Sequence, residues 1–113
     1  MNFWKILSCA VALTISQASA GLMIVGGYSA ASTGAPEVIA IAKAAVKMKN
    51  EDLQTNKVKL LSIIDAQSQV VAGQNFRLCL DVKQAKHKMR VQAVVYRDLS
   101  GKLELTEWTP KGC

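Results

Sequence analysis

Apolar and polar positions divide the chain into one helical stretch followed by four extended ones. From Pro36 onward, Val38, Ile41, Ala42, Ala45, Val46 and Met48 recur at helical spacing, while Lys43, Lys47 and Lys49 take the other face. A proline in the first turn loses no useful hydrogen bond, and Glu37 suits the positive end of the helix dipole. Asn50-Glu51-Asp52 weakens the pattern, and the helix should end there. Residues 58–70 read as a strand carrying Leu60, Leu61, Ile63 and Ile64, closed by turn chemistry at Ala72-Gly73-Gln74-Asn75. Residues 74–84 alternate, with Phe76, Leu78, Leu80 and Val82 on one face and Arg77, Cys79, Asp81 and Lys83 on the other. After a polar turn at residues 85–88, a third strand over 89–97 puts Met89, Val91, Ala93 and Val95 on the core face. A turn at Ser100-Gly101 leads into a fourth strand over 103–108. One helix followed by hairpin-ordered strands predicts an α+β fold, with the helix packed on an antiparallel sheet of about four to five strands. By the same alternation Cys79, Val94, Tyr96 and Trp108 should lie on the outer face.

The N-terminus follows a different logic. A short start carrying Lys5, an apolar run over residues 6–15 and a small-x-small ending at Ala18-Ser19-Ala20 read as a cleavable export signal. The run is too short to span a bilayer as a helix. A lipoprotein reading at Cys9 would leave almost no apolar core before the cysteine. The expected organisation is therefore a signal at 1–20, a flexible arm at 21–35 and a domain at 36–113. Within the arm, Leu22-Met23-Ile24-Val25-Gly26-Gly27 is apolar and then glycine-rich. An exposed apolar arm usually means partner contact; the alternatives are residual signal sequence or an N-terminal edge strand. No other apolar run is long enough for a membrane span, so a soluble secreted product is expected, extracellular or, in a Gram-negative source, periplasmic.

Charge and chemistry narrow the function classes. The chain carries a formal net charge of +6, of which Lys5 departs with the signal. The densest basic cluster, residues 83–90, has no interleaved aromatics, which favours a solvated loop over a nucleic-acid site. Cys79 and Cys113 are the cysteines left after export, and an even pair in an exported chain favours a disulfide. Closing that loop stabilises by roughly 3–4 kcal/mol, and a tail folded across the outer face could make the connection. The single histidine, His87, sits in a polar turn with nothing to orient it toward Cys79 as a nucleophile's base. Cys79, His87 and Cys113 lack the spacing of metal ligands. No phosphate loop or dinucleotide fingerprint occurs. The expectation is a protein that is not an enzyme, with no catalytic residue, no metal and no cofactor.

An apolar arm with a glycine, one helix, and then a hairpin with Gln-x-Val-x-Gly at its tip together resemble the cystatins. Gln69-Val70-Val71-Ala72-Gly73 matches the family motif in full, and Ile24-Val25-Gly26-Gly27 resembles its arm. The resemblance implies reversible, competitive inhibition of papain-like (cathepsin-like) cysteine proteases, with no cofactor. Gln69, Val70, Val71, Ala72 and Gly73 would enter the cleft. Gly26 would be the hinge of the arm, and Ile24 and Val25 would lie in acyl-side subsites. Many cystatins place Pro-Trp in the second hairpin; here Arg97-Asp98-Leu99-Ser100-Gly101 stands there, with Leu99 as its apolar candidate. One disulfide in place of the usual two of secreted animal members is a second departure. Some members also block legumain through an Asn after the helix, and Asn50 lies near that place. The competing reading is a secreted cystatin-fold binding module with weak or no inhibition. A monomer is expected, with a domain-swapped dimer as the alternative; no nucleic-acid or membrane partner is expected.

Overall fold

The computed structural model describes residues 27–113. The expected export segment, Cys9 and the arm residues Ile24, Val25 and Gly26 lie outside the described residues. In chain order the elements are β1 (Ser29–Ala30), α1 (Pro36–Glu51), β2 (Val58–Val71), β3 (Gly73–Gln84), β4 (His87–Arg97) and β5 (Leu103–Pro110). The strands form one antiparallel sheet in the order β1-β2-β3-β4-β5, with the helix on one face. Inside the stretch read as an arm, Ser29 and Ala30 pair with Ser68 and Gln67, and Ala31 N–H donates to Ala66 O at 2.9 Å. A turn at Ser32, whose hydroxyl accepts from Gly34 N–H, then delivers the chain to Pro36 at the helix start.

The helix buries Val38, Ile41, Ala42, Ala45 and Val46, the face its periodicity marks. Ala42 and Ala45 have no exposed surface, and their small side chains let the sheet approach closely. Opposite them, Phe76, Leu78, Leu80, Val82, Val91, Ala93 and Val95 are all buried, and Met89, partly buried, packs against them, so the inner-face alternation of β3 and β4 carries through to the core. Each such large side chain contributes roughly 1.5–3 kcal/mol relative to its exposed state. Among the described residues no polar or charged side chain is buried. The carboxamide of Asn50 ties the helix end to the sheet: it donates to Val58 O at 2.9 Å and accepts from Val58 N–H at 2.7 Å.

Two strands break the simple alternation. β2 has register shifts between Leu60 and Ser62 and between Ile63 and Asp65. Each bulge adds a residue on β2, so Leu60, Ile63 and Ala66 all meet the inner face of β3, opposite Val82, Leu80 and Leu78. Leu61 and Ile64 are the added residues, 43% and 42% exposed. β5 has a comparable shift, where Leu105 faces Val95 but Glu107 faces Val94. This corrects the expected outer position of Trp108. The extra residue resets the phase, so Trp108 pairs with the buried Ala93 and packs against the core, with Lys49 Nζ of the helix 5.8 Å from its ring centroid.

The tail after β5 folds back over the outer face. Lys111 N–H donates to Arg90 O at 2.7 Å, and Cys113 reaches past β4 to form a disulfide with Cys79 on β3. Gly112 makes that crossing: a Cβ there would lie 2.9 Å from Gln92 Cβ and 3.0 Å from Thr109 O. Reduction, or the double change Cys79→Ala and Cys113→Ala, should lower unfolding stability by about 2–4 kcal/mol in urea titrations. Mass spectrometry without reductant should give a mass two hydrogens below the dithiol form; two free thiols in the folded protein would contradict this closure.

Candidate functional site

The β2–β3 and β4–β5 connections emerge at the same end of the sheet, because Gln74, one residue past the first tip, pairs with Arg97 at the start of the second. Pairing in the first hairpin runs to Val71 opposite Gly73, leaving Ala72 alone at the apex. Gly73 has φ +108°, a region that side chains rarely adopt, and a Cβ would collide with Arg97 O and lie 2.9 Å from Tyr96 Oη. Glycine thus sets both the tip conformation and its close approach to β4. The Tyr96 hydroxyl donates to Ala72 O, holding the apex from the neighbouring strand.

Further side chains brace the stem. Asn75 Nδ2 donates to Gln69 Oε1 at 3.2 Å. Arg97 donates to Gln74 Oε1 at 2.7 Å and pairs with Glu37 at 2.8 Å, while its guanidinium lies 5.0 Å from the Phe76 ring centroid. Arg97 therefore links the first hairpin, the second hairpin and the first turn of the helix. With the stem fixed, Val70 remains 67% exposed, Ala72 is exposed and Val71 is half-buried.

The second tip is ordered by one carboxylate. Asp98 Oδ1 accepts from Ser100 N–H at 2.9 Å, Ser100 Oγ at 2.6 Å and Lys102 N–H at 2.9 Å. Asp98 N–H donates to Lys102 O, and Gly101 N–H to Asp98 O. Gly101 occupies φ +93° at the turn. This network presents Leu99 to solvent at 85% exposure. The Ser100 hydroxyl, followed by the loop N–H groups, holds the Asp98 carboxyl below the usual carboxylate range.

The structure therefore brings Gln69, Val70, Val71, Ala72, Gly73 and Leu99 to one end of the sheet. Chain running back from Ser29, which is paired with Ser68, to Gly27 heads toward that same end. The Asn50 carboxamide is engaged in both directions by Val58. Cys79 is committed to its disulfide, away from any pairing with His87. Among the described residues no three metal-ligating side chains cluster. The sequence pattern places Tyr96 on the outer face and Arg97 and Asp98 in the second hairpin, but gives none of them a bracing role. Asp98 had a readable signal, since Asp-x-Ser-Gly is the spacing of a side-chain-stabilised turn; Tyr96 and Arg97 act across strands and had none.

Two outcomes test this geometry. Gly73→Ala should destabilise the fold by about 1–3 kcal/mol, since it combines left-handed strain with a collision; a thermal midpoint equal to the parent's would contradict the close approach. Ser100→Ala should raise the Asp98 pKa toward the ordinary carboxylate value in a carbon-detected NMR titration. Because the folded pKa is depressed, the carboxylate's contribution to loop order is present above the unfolded value and lost as pH falls through the folded one. An unshifted Asp98 titration in the variant would remove the assigned cause.

Comparison with known proteins follows this arrangement. The cystatin-domain family profile matches residues 26–109. A comparison with curated protein sequences finds no match. The crystal structure of Al-CPI superposes with a TM-score of 0.61 at 19% identity, covering 75% of this chain and 99% of that one. The salivary cystatin of the soft tick Ornithodoros moubata gives a TM-score of 0.62 at 14% identity, covering 75% of this chain and 96% of its own. At these identities the structural likeness speaks for the fold, a single helix on a five-stranded antiparallel sheet. The family profile, spanning most of the chain and both hairpin tips, makes this chain a member of the cystatin family.

Proposed function

We propose that this protein is a secreted, reversible, competitive inhibitor of papain-like cysteine endopeptidases. The observation that carries the reading is that Val70 and Leu99 stand exposed on two braced hairpin tips at one end of the sheet, with Gln69-Val70-Val71-Ala72-Gly73 forming the first tip. A narrow, apolar cleft can accept such tips with little loss of conformational freedom, because Tyr96, Arg97 and Asp98 have already ordered them. Val70 and Val71 supply apolar contact, and Ala72 with Gly73 keeps the tip thin. The chain leading to Gly27 approaches from the β2 side, so Ile24, Val25 and Gly26 are suited to the acyl side of the cleft and Leu99 to the leaving-group side. No covalent bond forms: the tips cover the nucleophile and exclude substrate. Family membership supports cysteine proteases as the target class, and the soft-tick salivary relative together with the disulfide supports export.

A second reading has a specific observation behind it. Leu99 is the apolar side chain of the second tip, where many cystatins present a tryptophan. Full burial of a leucine is worth only roughly 1.5–3 kcal/mol, and tryptophan anchors more often dominate interfaces. A cystatin-fold binding module with weak inhibition follows from that loss. Titrating papain with the mature chain separates the two. The inhibitor reading expects competitive inhibition below micromolar concentration, with removal of residues 21–25 speeding dissociation more than it slows association. A folded protein that leaves papain active at micromolar concentration would establish the second reading instead.

A further inference from the structure

At the end of the sheet away from the hairpin tips, the strand register produces a feature that the sequence keeps hidden. Lys59 pairs with Lys83 across β2 and β3, and Lys83 pairs with Lys88 across β3 and β4. Three lysines that are not neighbours in sequence thus stand in one row across three strands, about 5 Å apart from strand to strand. All three lie on the outer face, since Leu60, Val82 and Met89 beside them pair on the core side. All three are exposed. Like charges directly opposite one another destabilise a sheet, and no carboxylate forms an ion pair with any of these three ammonium groups among the described residues. Lys86 extends the basic surface at the turn, and Lys111 continues it beyond Arg90. Arg90 itself is paired with Asp81 at 3.0 Å. Beside the row is a shallow hollow of about 460 Å³ lined by Leu61, Ser62, Asp81, Lys88, Met89 and Arg90.

We propose that this row is a docking surface for a sulfated polysaccharide, engaged independently of the hairpin tips. Charge complementarity selects this partner. A rigid row of unpaired cations gains most from a linear polymer of closely spaced fixed anions, and that attraction offsets the repulsion the fold retains. The hollow beside the row, with polar walls and a half-covered Leu61, offers space for a sugar ring. Nucleic acid fits less well, because no aromatic side chain among the described residues stands on this surface. Phe76 is buried, Trp108 packs toward the helix, Tyr96 holds Ala72, and Tyr28 stacks on Arg77 at 3.9 Å, so none of these four is available for base stacking. A membrane surface fits less well too, since Leu61 is already more than half covered and no aromatic among the described residues stands beside the row to insert. Because the row and the tips lie at opposite ends of β3, the protein can hold a polysaccharide chain and a partner at the tips together.

The test compares two charge-matched variants of the full protein, Lys83→Gln with Lys88→Gln and Lys43→Gln with Lys47→Gln, the second pair on the exposed face of the helix. Heparin binding is measured by calorimetry and by salt elution from immobilised heparin. The first variant should bind about tenfold more weakly and elute at lower salt, whereas the second should stay near the parent. Desulfated heparin, phosphatidylserine vesicles and single-stranded DNA should bind more weakly than heparin at the same ionic strength. Equal losses in both variants would reduce the effect to net charge and overturn the proposal. So would vesicle or DNA binding as tight as that of heparin. Removing opposed like charges should leave the thermal midpoint no lower than the parent's; should the double variant fold poorly, Lys59→Gln at the end of the row, set against Lys43→Gln alone, gives the same charge-matched comparison.

Discussion

Everything in this molecule depends on burying one face of β3 and β4 under a single helix. Phe76, Leu78, Leu80, Val82, Val91, Ala93 and Val95 lose all or nearly all contact with water there, against Val38, Ile41, Ala42, Ala45 and Val46. A strand slip of one residue would turn every one of those side chains outward. The burial therefore fixes the register, and the register fixes which residues meet at each end of the sheet. At one end it brings Gln74 against Arg97 and the two tips together; at the other it opposes Lys59, Lys83 and Lys88.

The bulges show how the sheet is fitted to the helix. A strand of fourteen residues such as β2 cannot follow a curved, twisted sheet with strict alternation. Two added residues let Leu60, Ile63 and Ala66 face inward at a spacing of three. The shift in β5 does the same for Trp108 after Leu103 and Leu105. The cost is that Leu61 and Ile64 are left partly in water. The disulfide supplements this small core from the other face, crossing β4 through a glycine that leaves room for the passage.

Much of this was legible in the sequence because it depends on period. The helix face, the alternation of β3 and β4, the hairpin order and the pairing of Cys79 with Cys113 all follow from local pattern and from the expected export. The motif at Gln69 to Gly73 and the departure at Leu99 were equally readable. What was not legible depends on count or on contact across strands. A bulge adds one residue without any local mark, so the Leu60-Leu61-Ser62-Ile63-Ile64 run gave no inner face and Trp108 was expected outside. A two-residue strand such as Ser29–Ala30 is too short to show a period. The hold of Tyr96 on Ala72, the link from Arg97 to Glu37 and the lysine row exist only once the register is known.

On the proposed function, the end of the sheet carrying Val70 and Leu99 is the surface that meets a papain-like protease. Its most direct test is NMR mapping of amide perturbations when the labelled protein binds papain whose active-site cysteine carries a small alkyl block, which stops turnover while leaving the cleft open. Perturbations should concentrate at Gln69 to Gly73 and at Asp98 to Gly101, with Lys59, Lys83 and Lys88 unmoved. Perturbations centred on the lysine row or the outer face of β4, with the two tips silent, would contradict it.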